Sequence, residues 1–261
     1  MRARYAAIVG VALLAAACSR GDGRPTAAPG NPLAPGRPAD APANPSAAPP
    51  ADPLAPGRPS PGVPHEVGAA LPGDAGTLDV VSGVTSLTVR TADLGADRVR
   101  AITPDGAGVA PALDTDGDTV RVRLVQTGEV GPAAVTVLLD RRTRWQVRLS
   151  GGATDELLDL RGARLSGVDF AAGATRIDLR LPAPDRAVPI RMAGGATEFT
   201  VHVPAGVATG VRVGGGAASA EVDGVRRSGV SGGTVLSTAT APDRYDLDAT
   251  AGVSALVLDR R

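Results

Sequence analysis

Residues Trp145–Pro204 read WQVRLSGGATDELLDLRGARLSGVDFAAGATRIDLRLPAPDRAVPIRMAGGATEFTVHVP. The run Trp145-Gln146-Val147-Arg148-Leu149 leads into Ser150-Gly151-Gly152-Ala153-Thr154, then Leu157-Leu158-Asp159-Leu160. The same order returns at Leu165–Phe170, Ala172-Gly173-Ala174-Thr175 and Ile177–Pro182. It returns again at Val188–Met192, Gly194-Gly195-Ala196-Thr197 and Phe199–Pro204. Alternation of apolar and polar residues at period two marks strands with one buried face. Weaker copies follow at Val211–Val222 and Tyr245–Leu258. The first intervals are about 21 or 22 residues, and the last is lengthened by an insertion rich in Gly and Ser. A strand, a small-residue corner and another strand at near-constant spacing is what stacked coils need, because one coil cannot bury its inner face alone. The expected fold is all-β, a single-layer β-solenoid of about 21-residue coils. A β-sandwich is the alternative, since short alternating strands occur there too. Gly at the corners is expected to supply backbone angles closed to other residues.

The upstream sequence reads the same way in weaker form. Leu78-Asp79-Val80, Ser86–Arg90 and Thr119–Leu124 alternate, and Gly-, Asp- and Pro-containing turns separate them. No convincing amphipathic helix appears after the N-terminal stretch. Aromatic residues make up 2% of the chain, so the core must be built from Val, Leu, Ile and Ala. The repeat domain is assigned to residues 73–261.

Residues 20–72 have a different composition. Pro, Ala and Gly dominate, and PLAPGRP occurs at Pro32–Pro38 and again at Pro53–Pro59. Pro lacks an amide donor and holds its predecessor extended. Few side chains here are large enough to offset chain-ordering entropy. The segment is expected to be a disordered stalk with polyproline II character, reaching roughly 150 Å if fully extended and nearer 40 Å as a coil.

At the N-terminus, Arg2 and Arg4 precede the uncharged run Tyr5–Ala17, YAAIVGVALLAAA, and then Cys18, the chain's one cysteine. That run is too short to span a bilayer comfortably and has the length of a signal-peptide core. Ala15-Ala16-Ala17-Cys18 resembles the lipobox of bacterial lipoproteins, with Ala15 where that family prefers Leu and Leu14 one place early. The resemblance implies a signal peptide over 1–17 and cleavage before Cys18. It also implies lipidation of the Cys18 sulfur and a membrane-lipid anchor on the extracytoplasmic face. Two or more acyl chains hold a protein to a membrane firmly, whereas one does so marginally.

The repeat from Trp145 to the C-terminus resembles the adhesin-like and toast-rack domains of exported bacterial proteins and envelope-stress accessory proteins. The matching features are the units Gly151–Thr154 and Gly194–Thr197, their variant at Gly173–Thr175, and the strand-ending Pro182 and Pro204. The resemblance implies an architecture for binding or scaffolding rather than an enzyme. It points to an envelope protein or a cell-wall or surface ligand as partner. The alternatives are an accessory to an envelope stress-sensing complex and a carbohydrate-active β-helix enzyme. Sugar clefts want aromatic platforms and clustered acids, which this sequence does not display.

Other residues point away from chemistry. The net charge is zero, and all 27 basic residues are Arg, so nothing marks a nucleic-acid surface. Asp114-Thr115-Asp116-Gly117-Asp118 lacks the EF-hand spacing, with Gly fourth and Val125 twelfth, and reads as a hairpin turn. Gly214-Gly215-Gly216 precedes no Gly-Lys-Ser/Thr and reads as a repeat corner. His65 falls in the stalk, and His202 is placed on a solvent-facing strand position. Two such histidines make no metal site, and no metal or cofactor is expected. Trp145 is read as packing. Asp159, Arg161, Asp178 and Arg180 are expected to ladder between coils. No Ser lies in G-x-S-x-G, and no catalytic residue is assigned.

Overall fold

The structure, a computed structural model, describes residues 65–261. The expected signal peptide over 1–17, Cys18 and both PLAPGRP copies lie outside the described residues. Nineteen strands follow one another: β1 Glu66–Ala69, β2 Ala75–Val80, β3 Val84–Ala92, β4 Val99–Ile102, β5 Val109–Asp116, β6 Thr119–Gln126, β7 Ala134–Asp140, β8 Arg144–Leu149, β9 Ala153–Asp159, β10 Arg164–Phe170, β11 Ala174–Arg180, β12 Ala187–Met192, β13 Ala196–Val203, β14 Ala208–Val213, β15 Ala217–Val222, β16 Val225–Val230, β17 Thr234–Ser237, β18 Arg244–Ala249 and β19 Val253–Arg260.

The strands form two sheets. One has ten strands in the order β1-β4-β7-β3-β9-β11-β13-β19-β15-β16, and the other nine in the order β17-β14-β18-β12-β10-β8-β2-β6-β5. From β8 to β15 the chain alternates between the sheets at each strand, so neighbours within a sheet run parallel. Antiparallel pairs occur toward the ends, at β1–β4, β4–β7, β15–β16, β14–β17 and β5–β6. The fold is thus all-β, with two parallel-rich sheets stacked on each other.

Period two explains the stacking. Trp145, Val147 and Leu149 of β8 are buried, while Gln146 and Arg148 face outward. Ile177 and Leu179 of β11 and Phe199, Val201 and Val203 of β13 are buried from the other side. Phe170 of β10 meets Phe199 of β13 edge to face, with centroids 5.4 Å apart, joining the two sheets. Trp145 is fully buried as expected, and its indole N–H donates to the Asp140 carbonyl at 2.9 Å.

Three expectations need correction. The folded body starts before residue 73: β1 pairs with β4 and Leu71 is buried. Val67 and Leu71 supply apolar side chains that the Pro-rich composition around them masks. Second, spatial order is not chain order. β18 and β19 insert between β12–β13 and β14–β15, and β2–β3 sit between β8–β9 and β6–β7. Third, the corner glycines Gly151 and Gly194 do not adopt positive φ. A Cβ on Gly151 would lie 2.2 Å from the Ser82 carbonyl oxygen, and one on Gly194 2.0 Å from that of Ala172. Glycine is needed there because adjacent backbones meet. The following corner residues form a hydrogen-bonded stack: Ala153 N–H donates to Gly173 O, Ala174 to Gly195, and Ala196 to Gly252.

Candidate functional site

The strands of the ten-stranded sheet end in one row, Arg90, Asp159, Arg180, His202 and Asp259, contributed by β3, β9, β11, β13 and β19. The chain then leaves the sheet through Leu181-Pro182 and Val203-Pro204, where proline ends the ladder. A hollow of about 470 Å³ opens there, lined by Arg161, Arg180, His202 and Arg261 over a floor that includes Leu181, Pro182, Val203 and Pro204. A second hollow of about 490 Å³, lined by Arg90, Thr91, Arg141, Asp159, Arg161 and Gly162, shares Arg161 with the first. The two linings together hold five arginines and one aspartate.

His202 projects to the outer side of β13, as the alternation predicts, but it is 7% exposed rather than solvated. Its Nδ1 lies 2.5 Å from Asp259 Oδ1, and its Nε2 lies 3.5 Å from Asp178 Oδ1. Arg180 donates to both Asp178 oxygens at 3.1 and 3.2 Å, and Arg261 lies 3.2 Å from Asp259. A chain of polar contacts therefore runs Arg180–Asp178–His202–Asp259–Arg261. Asp178 and Asp259 cover the ring from neighbouring strands, which no pattern within β13 could announce.

The expected ladder between coils takes another form. Arg161 grips Asp159 through Nε at 2.8 Å and Nη2 at 2.6 Å, and Arg180 grips Asp178, each pair two residues apart along the chain. The Asp159 carboxyl is held below its ordinary range, chiefly by the Arg161 hydrogen bonds. A true cross-strand ladder occurs elsewhere, where Arg176 meets Asp155 at 2.6 Å and Glu198 at 3.0 Å.

The trough floor is anchored from beneath. The buried Tyr245 hydroxyl donates to the Pro182 carbonyl at 2.8 Å, and burial pushes its pKa upward. Arg144 holds Asp185 through two hydrogen bonds, at 2.8 and 2.5 Å, and lowers that carboxyl to about 2. These contacts fix the Pro182–Arg186 connection from two other strands, β8 and β18.

Two acids outside the trough are buried. Asp140, fully buried, accepts from the side chain and backbone N–H of Arg142, from Leu94 N–H and from Arg98. Those bonds, the Arg142 side chain first, hold its carboxyl well below the usual range. Glu156 is 2% exposed, and neither carboxylate oxygen has a hydrogen-bond partner. Burial raises its pKa to about 8. Its position two residues before the buried Leu158 was the available signal.

The other sequence motifs fall at turns. Asp116 and Thr119 pair across the β5–β6 hairpin, with Gly117 at φ +60°. Gly214–Gly216 forms the corner between β14 and β15. His65 precedes β1, and its carbonyl accepts from Thr103 N–H. Among the described residues, no three His, Cys, Asp or Glu side chains gather as a metal-binding group.

No protein-family model matches the chain, and no curated protein matches it. Solved structures do. A candidate cell adhesion protein from Clostridium sporogenes superposes with a TM-score of 0.54 at 15% identity, covering 76% of this chain and 99% of its own. Candidate adhesins from Bacteroides fragilis and Parabacteroides merdae match at TM-scores of 0.32 and 0.29, with identities of 10% and 8%. They cover 76% and 75% of this chain, and 96% and 80% of their own. The first likeness establishes a shared fold.

Proposed function

We propose that this chain is a non-catalytic binding module of the cell envelope, exported, lipidated at Cys18 and held on the extracytoplasmic face of the membrane. Its architecture is read as one solenoid-like stack of about 21-residue coils. The observation behind the binding role is the trough: an apolar floor rimmed by arginines at the shared end of five strands. Preformed hollows with a few convergent polar groups are where ligands bind. The carboxylates beside it are engaged by Arg161, Arg180, Arg261 and His202, an arrangement suited to holding charge in place. The fold shared with a candidate cell adhesion protein supports the same reading.

Two measurements test it. Labelled palmitate is expected in the full chain and absent from Cys18→Ser. Label retained in Cys18→Ser removes the anchor. A photo-crosslinking residue at Arg161 in intact cells is expected to capture a partner that the same residue at Arg226, on β16, does not. Equal capture at both positions removes the trough as the binding surface.

A further inference from the structure

We infer that the trough takes a carboxylate-bearing stretch of extended polypeptide, with its acidic side chains on the arginine rim and its aliphatic side chains on the proline floor. This rests on reading the domain as a binding module and names the ligand class of that site. Charge is the first argument. The chain as a whole is neutral, yet the trough lining carries five arginines against one aspartate, with Asp93, Asp178 and Asp259 pairing Arg141, Arg180 and Arg261 from beside it and Arg90 in no ion pair among the described residues. A guanidinium presents two parallel donors that match a carboxylate.

The second argument is availability. The carboxylates now on Arg161 and Arg180 stand two residues away along the chain, and Arg161 and Arg261 are each 67% exposed. Exposed pairs of this kind contribute little, so an incoming carboxylate can exchange with them at small cost. His202 supports the exchange, because its Nδ1 stays hydrogen-bonded to Asp259 and its Nε2 stays 3.5 Å from Asp178 when an arginine turns outward.

The third argument concerns shape. The row from β3 to β19 crosses five strands, about 20 Å at the usual strand spacing, which an extended peptide of about six residues spans. The lining contains Leu181, Pro182, Ala183, Val203 and Pro204 and no Phe, Tyr or Trp, and the one ring in it, His202, is buried between Asp178 and Asp259. Aliphatic side chains fit such a floor, whereas a sugar ring would find no aromatic face to stack on.

The test uses the full chain and a fluorescein-labelled ten-residue peptide of alternating Glu and Leu, read by anisotropy. Binding is expected to weaken about tenfold or more in Arg161→Glu/Arg180→Glu and by less than about twofold in Arg226→Glu/Arg227→Glu. The milder Arg261→Gln, at an exposed position, is expected to weaken it about threefold, which covers the case in which the double variant fails to fold. The matching Gln–Leu peptide is expected not to bind. Equal weakening by the trough and β16 variants would overturn the assignment, since attraction would then be general. Tighter binding of oligogalacturonate than of the Glu–Leu peptide would also overturn it, giving the site to an acidic glycan while the binding-module reading stands. If neither probe binds and the Arg161 crosslinker captures nothing, the binding-module reading falls with it.

Discussion

At the residue scale, Gly151 and Glu156 show two ways in which one position constrains the fold. Gly151 has an ordinary φ, so its requirement is space: the Ser82 carbonyl occupies the volume a methyl group would need. Gly151→Ala is therefore expected to cost roughly 1–3 kcal/mol by forcing two backbones apart. Gly73→Ala, whose nearest atom would lie 4.0 Å from the new Cβ, is expected to be near neutral. Urea midpoints of the two variants check this. Glu156 lies between Leu87 and Ile177 on neighbouring strands, with no partner for either oxygen. Burial raises its folded pKa to about 8 from 4.5. The folded state therefore keeps a proton that the unfolded chain releases first. Stability is full below pH 4.5, falls as pH rises toward 8, and levels off above it. Urea midpoints at pH 5 and pH 8 are expected to differ in the wild type and to draw together in Glu156→Gln. Glu156→Leu is expected to raise stability at pH 7 by about 2 kcal/mol, because no buried polar group is left unpaired. Unchanged pH dependence in both variants would show that Glu156 does not titrate this way.

At the element scale, the strands and corners were legible because each is specified within a few residues. Val147, Leu149, Ile177 and Leu179 announce their buried face by alternation, and Gly-Gly-Ala-Thr announces the corner. The burial of His202 was not legible, since Asp178 and Asp259 come from other strands. The trough was not legible either: Arg161 and Arg180 read only as members of a charge ladder, Arg261 carried no signal, and it is the folding of β9, β11 and β19 into one sheet that gathers them. The placement of β19 was hidden for the same reason. Sequence period orders coils along the chain, but backbone edges choose their own neighbours, and β19 chose β13 and β15. This has a testable consequence. In a stack built in chain order, removing the last repeat trims one end. Here, removing residues 250–261 takes out a strand paired on both sides, together with the buried Leu256 and Leu258. That truncation is expected to abolish the cooperative unfolding transition rather than shift it by a small amount, as followed by circular dichroism in urea. A truncated chain with a sharp transition would mean that β13 and β15 can close the gap.

At the scale of the whole folded body, the problem is the four outer strands of two open sheets. A free edge exposes unpaired N–H and C=O groups that template association with other chains. Each end meets this hazard with a different device. At one end β1 and β4 pack toward β5, and Pro111 in the middle of β5 removes a donor from the outer row. At the other, β16 is exposed over most of its length, with Val225 at 62%, and Val235 of β17 is 53% exposed. A hollow of about 250 Å³ lined by Val222, Val225, Arg227 and Leu236 lies beside them. Apolar surface there would invite a second copy. Arg226 and Arg227 oppose it, because a pairing copy would bring a second pair of arginines to the same edge, and Gly229 at φ +63° interrupts the extended backbone. Replacing both arginines by Val makes this edge read VVVSGV, a β-prone run with no charge. Arg226→Val/Arg227→Val is therefore expected to self-associate as concentration rises, with the wild type unaffected over the same range. Sedimentation velocity at low and high concentration measures this. A monomeric double variant would show that Gly229 and the local twist protect the edge without the charges, and Gly229→Val in the same background would then be the change that releases association.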